Sequence, residues 1–443
     1  MMRTEWKIDQ TVIQGWQDGT VIKATGIAYG HAKRFEFPQA VNYHIDQVIQ
    51  ANSWSPIAPQ NFAAIKNQLP QTRSMTMSED CQHLSITIPK DLEPGELVPV
   101  MVWIHGGMNT TGGGDLTIYN PKALVEEQRV IVVAITYRLG ILGFLPQTDQ
   151  LPANLALADI ILALKWVRDY IIHFGGDPTN ITLFGQSAGA EAIYNLLLTD
   201  QAIGLFNRVI LQSPPLGLIR SRQSLLVQVS HSIQNWISQV ELKELVVFQH
   251  QMEKQLSGIK LAKLMPFSGQ YGQFPLPEAK QIGLQLEAAS QNVPIMIGYN
   301  QREVASLTYT MPWVAKIRSW PFIGKILFEA GVRAATWWVF VRPIKGVVRR
   351  YRHSLYPSYF YRFYWGPEAN PEAAGHCVEL PFIFADQAAW GRRNILRGSS
   401  WQEVKQKGQE VRAIWAEFAR SGLVGHKQVD QVLTIKLINE INH

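Results

Sequence analysis

The stretch ITLFGQSAGAEAIYNLLL, residues 181–198, decides the fold. Its first four residues, ITLF, read as a short buried strand, and its last eight, EAIYNLLL, have helical spacing. Between them lies Gly185-Gln186-Ser187-Ala188-Gly189, a G-x-S-x-G pattern at a strand-to-helix turn. So tight a turn brings the strand and helix backbones almost into contact. A side chain at Gly185 or Gly189 would collide, and Ser187 is thrust to the apex with its hydroxyl exposed. The backbone N–H of Ala188 opens the helix and is free to donate to an anion. The bare pattern is common in proteins; its place between a strand and a helix gives it weight.

Outward from this turn, short apolar runs alternate with helical stretches. Residues 98–104 (VPVMVWI) and 130–135 (VIVVAI) are rich in β-branched side chains and end at turn signals, so each reads as a strand buried on both faces. Residues 209–212 and 294–297 read the same way, and 359–365 and 432–437 are later strands. Residues 154–174 have helical spacing and stop at the breaker cluster Gly175-Gly176-Asp177-Pro178. Strands alternating with helices of this length imply an α/β fold with a doubly wound, mostly parallel sheet. Two stretches break the rhythm, about 216–292 and 306–358. Both read as helical insertions over the active-site end of the sheet. No repeat, low-complexity tract or linker separates a second domain, so residues 1–443 are expected to form one.

A nucleophilic serine needs an oxyanion hole, a base and an acid. His105-Gly106-Gly107-Met108 follows directly on the strand VPVMVWI. Two glycines there let backbone N–H groups face inward, and donors of this kind are each worth ~3 kcal/mol of transition-state stabilisation. The expected donors are the N–H groups of Gly106, Gly107 and Ala188. His105 precedes the serine by a whole strand–helix segment and is expected to brace its loop. On a fold of this kind the order is serine, acid, histidine. His376, in the loop after the strand-like 359–365, is the favoured base, with His353 and His426 as weaker rivals; His231 and His250 fall in helical stretches and His443 ends the chain. Asp200, the one aspartate between Ser187 and His376, lies too close to the nucleophile's helix. The acid is therefore expected to be a glutamate: Glu303 in the loop after 294–297, with Glu368 and Glu372 as rivals.

The composition agrees with a thick interior. Of 443 residues 47% are hydrophobic and only 17% charged, which excludes a disordered or disulfide-stapled chain. Two cysteines, no secretory pattern near the start and no long uncharged apolar run point to the cytoplasm. The net charge of +6 is uneven: residues 313–352 hold nine Lys/Arg against one acid, interleaved with aromatics. Such a segment is a packed helical insertion with solvated bases, or a surface for lipid or an amphiphilic substrate. A nucleic-acid partner is not expected.

These residues resemble the type-B carboxylesterase/cholinesterase family of α/β-hydrolases. The likeness runs through Ser78-Glu79-Asp80-Cys81, His105-Gly106-Gly107, residues 137–144 (YRLGILGF), 154–159, 174–178, 185–190, 298–303 and 375–382, and on to a C-terminal helix around Trp415. It implies an α/β-hydrolase fold and a triad of Ser187, Glu303 and His376 with the oxyanion hole above. The implied enzyme is a carboxylesterase needing no cofactor or metal, acting on a small-molecule ester through an acyl-enzyme. It also implies internal ion pairs, Arg34 with Glu79 and Arg138 with Asp159. Lipase, amidase or thioesterase chemistry on the same triad, or a non-catalytic binding role, are the alternatives. The chain departs from the family in four places. It lacks the usual partner cysteine for Cys81. Arg302-Glu303-Val304 stands where Asp-Glu-Gly is usual, Gln186 where glutamate is commoner, and Pro214 where glycine is usual.

Overall fold

The computed structural model describes residues 4–61, 75–149, 151–221, 227, 230, 240–256, 265–309 and 311–441. Part of the first insertion, with His231, and the terminal His443 lie outside the described residues.

An eleven-stranded sheet dominates. In chain order its strands are β1 (Trp16–Asp18), β2 (Val21–Ala28), β3 (His83–Pro89), β4 (Val98–Ile104), β5 (Ile131–Ile135), β6 (Gly176–Gln186), β7 (Arg208–Gln212), β8 (Ile295–Asn300), β9 (Tyr359–Phe363), β10 (Gln428–Val429) and β11 (Leu433–Leu437). Across the sheet they run β10-β11-β9-β8-β7-β6-β4-β5-β3-β2-β1. The centre, from β9 to β5, is parallel. Both flanks are antiparallel. The fold is the expected mostly parallel α/β sheet; the antiparallel flanks were not read from sequence. Strand β6 also begins earlier than 181, with a register irregularity between Gly176 and Ile181.

The centre is parallel because its strands are buried on both sides. Along β4 the side chains alternate: Val100, Val102 and Ile104 join one hydrophobic cluster, Met101 and Trp103 the other. Helix α1 (Leu155–Tyr170) packs Ile160, Leu164 and Val167 into the first cluster. Helix α2 (Ala188–Leu196), directly after β6, lies on the same face. The long C-terminal helix Trp401–Ser421 packs Trp415 and Phe418 into the second.

Both insertions are largely helical where described, although residues 265–278 of the first are turns and irregular chain. The first includes Leu216–Ser221, Leu242–Leu256 and Ile282–Ser290. The second holds α3 (Glu303–Thr308), α4 (Pro312–Arg318), α5 (Gly324–Thr336) and α6 (Arg342–Arg350), with a π-helical turn at Trp337–Val341. Among the described residues no helix is long and apolar enough to cross a membrane.

Candidate active site

The turn at 185–189 is as crowded as its glycines suggest. A Cβ on Gly185 would lie 2.9 Å from the backbone carbon of Gly189, and one on Gly189 only 2.0 Å from the carbonyl oxygen of Ile104. Ser187 sits at the apex with φ 57° and ψ −123°. That conformation costs a non-glycine residue about 1–3 kcal/mol and persists because the surroundings impose it. The N–H of Ser187 donates to the carbonyl of Gln212 at 2.8 Å, which ties the apex to β7.

Gly106 faces the serine directly, since a Cβ there would come within 3.2 Å of Ser187 Cβ. Gly107 has φ 122°, and a Cβ on it would meet the Thr111 carbonyl oxygen at 2.0 Å. Among the described residues the N–H groups of Gly106, Gly107 and Ala188 take no hydrogen-bond partner. His105 is fully buried, its Nδ1 2.9 Å from the Gly106 carbonyl oxygen and its ring stacked on Tyr137. Burial pushes its pKa down to about 4, so it is a neutral brace for the glycine loop.

The structure brings Glu303 and His376 together. His376 Nδ1 lies 2.6 Å from Glu303 Oε2, and the His376 N–H donates to the Glu303 carbonyl at 3.1 Å. Burial opposes a charged imidazole, but the Glu303 carboxylate, with Glu379 beyond it, outweighs that cost, and the pKa of His376 is raised above 6.5. Ser187 and His376 line one cavity of about 460 Å³ with Gly106 and Gly107, closed on one side by Val339 and Phe340. No hydrogen bond joins Ser187 to His376 among the described residues. The ring's Nε2 instead lies 3.1 Å from Gln186 Nε2. A donating Gln186 amide at Nε2 and an Nδ1–H directed at Glu303 leave the imidazole neutral, in the tautomer a base requires.

The altered acid loop holds Glu303 by other means. Val304, in the usual glycine's place, is a helical residue of α3 and lines the cavity. The Arg302 guanidinium reaches Glu329 on α5, with Nη2 2.6 Å from Oε1, and also donates to the carbonyls of Pro371 and Ala373 in the histidine's loop. One side chain thus fastens the acid loop, the histidine loop and the second insertion together.

The other candidates lie elsewhere. His353 and His426 are exposed, and His250 Nδ1 lies 3.1 Å from Asn61 Nδ2. Asp200 is exposed in the short 3-10 turn after α2, outside the cavity that Ser187 and His376 line. Among the described residues neither Glu368 nor Glu372 hydrogen-bonds to His376, whose Nδ1 faces Glu303. The two ion pairs are present: Arg34 Nε–Glu79 at 2.8 Å, and Arg138–Asp159, buried, at 2.6 Å. Cys81 and Cys377 are free, and burial pushes both thiols well up.

Three site residues were missed. Gln186 lay inside the motif but was read only as a substitution. Glu379 follows His376 by three residues; it is fully buried, accepts from Asn300, and is pushed up to about 7 by burial and by the Glu303 charge. Phe340 places its ring 5.4 Å from that of His376, and nothing in its local sequence marks it.

A serine at the strained turn after a central parallel strand, with its cavity at the strands' C-terminal rim, defines an α/β-hydrolase. The model of the carboxylesterase family matches residues 9–319. The chain is similar to the probable N-octanoylanthranilate hydrolase AqdA2 of Rhodococcus erythropolis, 32% identical over 420 residues, 93% of this chain and 92% of that one. It is also similar to the para-nitrobenzyl esterase of Bacillus subtilis (strain 168), 30% identical over 443 residues, 93% and 88% of the two chains. A solved thermophilic para-nitrobenzyl esterase matches it with a TM-score of 0.83 at 26% identity, covering 99% of this chain and 98% of that one. The chain belongs to the carboxylesterase family, and its activity class is ester hydrolysis.

Proposed function

We propose that the chain hydrolyses carboxylic esters through an acyl-enzyme formed on Ser187, with His376 as base, Glu303 as its acid partner, and the N–H groups of Gly106, Gly107 and Ala188 as the oxyanion hole. Substrate entry displaces the Gln186 amide from His376 Nε2. Ser187 Oγ then attacks the ester carbonyl carbon while Nε2 takes its proton. Glu303 holds the imidazole orientation and stabilises the imidazolium. The three backbone donors receive the carbonyl oxygen as it gains charge. The intermediate collapses, and the alcohol leaves with the proton from His376. Water, deprotonated by the same nitrogen, then splits the acyl-enzyme and releases the carboxylic acid.

The observation that carries this reading is the 2.6 Å contact of His376 with the buried Glu303 in the cavity that Ser187 lines. The open Ser187–His376 pair is compatible with it, since catalytic hydrogen bonds often tighten only in the substrate complex. The free thiols fit a reducing compartment, and we place the protein in the cytoplasm. The Rhodococcus relative is named for an N-octanoyl compound, so medium acyl chains belong in the first substrate series. The test is labelling with an organophosphonate followed by mass mapping, alongside p-nitrophenyl esters of rising chain length. Stoichiometric modification of Ser187 with loss of ester turnover is expected. Turnover that survives full modification of Ser187, or labelling at another residue, overturns the assignment.

A further inference from the structure

We infer that the second insertion is a docking surface for an anionic lipid bilayer. This goes beyond the proposed ester chemistry and stands independently of it.

Helix α5 has two apolar sides. One packs inward, burying Phe328 and Val332 in a small cluster with Ala305 and Val314. The opposite side faces solvent, yet successive turns of it present Ile326, Ala330 and Ala334, with Trp337 just past its end and Arg333 at its edge. A solvated helix normally carries polar residues on its outer face. Here Ile326 is 67% exposed. The turn between α4 and α5 is Trp320-Pro321-Phe322-Ile323, and Phe322 at its tip is 97% exposed. Trp313, Trp337 and Trp338 are exposed as well. Single exposed apolar side chains need no explanation, but this many within one short segment mark an interaction surface.

The charge around this surface selects its partner. Lys316, Lys325, Arg333, Arg342 and Lys345 are exposed, and among the described residues none forms an ion pair. The segment's one acid, Glu329, is engaged by Arg302. Arg342 lies over the Trp338 ring and Lys345 over the Trp337 ring, at 4.5 and 5.1 Å from the centroids. Indole rings with bases beside them suit the headgroup level of a bilayer, where the ring's apolar body and polar edge are both satisfied. An amphipathic surface gains from buried apolar area and from attraction to anionic lipid together. The aliphatic side chains Ile323, Ile326 and Leu327 interleaved with the bases offer no hydrogen bonds to base edges, which disfavours nucleic acid.

The test is flotation of the full chain with vesicles of phosphatidylcholine alone and with about one-third phosphatidylglycerol, at low and high salt. Binding should require the anionic lipid and weaken as salt shortens the screening length from about 10 to about 3 Å. Phe322→Ser with Ile323→Ser, and separately Lys316→Glu with Lys325→Glu, should each lower partitioning about tenfold or more. Thermal melts followed by circular dichroism check that the variants fold; the lipid and salt dependence of the unaltered chain tests the inference without them. Absence of binding to the anionic vesicles at low salt overturns it. So does equal binding to neutral vesicles, or binding that both folded double variants retain. Tighter binding to an oligonucleotide than to vesicles, or self-association that buries this face in sedimentation, also overturns it.

Discussion

The turn at 185–189 and helix α5 both carry glycines, and the glycines mean opposite things. At Gly189 a single added carbon would overlap the Ile104 carbonyl oxygen at 2.0 Å; at Gly331, in α5, it would meet nothing within 4 Å. The turn is held from every side by β4, β6 and β7, and it keeps Ser187 in a conformation it would not choose. The helix rests on one narrow stripe and leaves its other side to the surroundings. The first region is built to fix atoms for chemistry, the second to present a surface.

The contrast can be broken at several points. The largest effect belongs to Ser187→Ala, expected to lower kcat by on the order of 10⁶, with Ser187→Ala plus His376→Ala little worse because the set acts as a unit. Additive losses in that double variant would sever the two residues. Next, Glu303→Gln should reduce kcat by about 10³–10⁴. It should also move the acid limb of kcat/KM. His376 must be neutral to accept a proton, and Glu303 raises its pKa above 6.5, so activity of the unaltered enzyme rises only above that value. Without the carboxylate the limb should shift to lower pH; an unmoved limb would assign the titration to another group. Gly189→Ala should destabilise the fold by more than about 3 kcal/mol, read as a loss of Tm or of folded protein. Arg302→Ala, which cuts the clamp between acid loop and insertion, should cost kcat about tenfold with little change in KM, ~1–2 kcal/mol. The smallest effect, and the one of opposite sign, is Gly331→Ala, expected to stabilise by about 0.5–1 kcal/mol in a melt. A destabilised Gly331→Ala would mean that the outer face of α5 is packed after all.

Much of the first region was legible in the sequence because its signals are local. The apolar runs of β4 through β9, the G-x-S-x-G turn and the paired glycines after β4 each announce themselves within a few residues. Glu303 does not; a lone glutamate has no signature, and it stood out through its order in the chain, its place just after the strand at 294–297 and the family likeness. Gln186 takes its meaning from contact with His376, and contact across 190 positions leaves no local trace. Glu379 takes its meaning from Asn300 and from the Glu303 charge, both remote in sequence. The antiparallel flank at the N-terminal side was missed because β1 has only three residues and because polar residues interrupt the apolar runs of β2 (VIKATGIA) and β3 (HLSITIP). In the second insertion periodicity could show a helix but not its inward side, since Phe328 and Val332 on one stripe and Ile326 and Trp337 on the other are all apolar.

The reach of Arg302 from the acid loop to Glu329 limits how such insertions can be exchanged. A chimera that imported another relative's helices after Thr308 would discard the carboxylate that Arg302 grips, leaving a guanidinium beside the histidine loop with half its anchors gone. Grafting at this junction therefore has to carry an acid at the position of Glu329, or restore the family's usual residues around Glu303. The second insertion is thus not a detachable cassette, because one of its carboxylates is tied to the loop that carries Glu303.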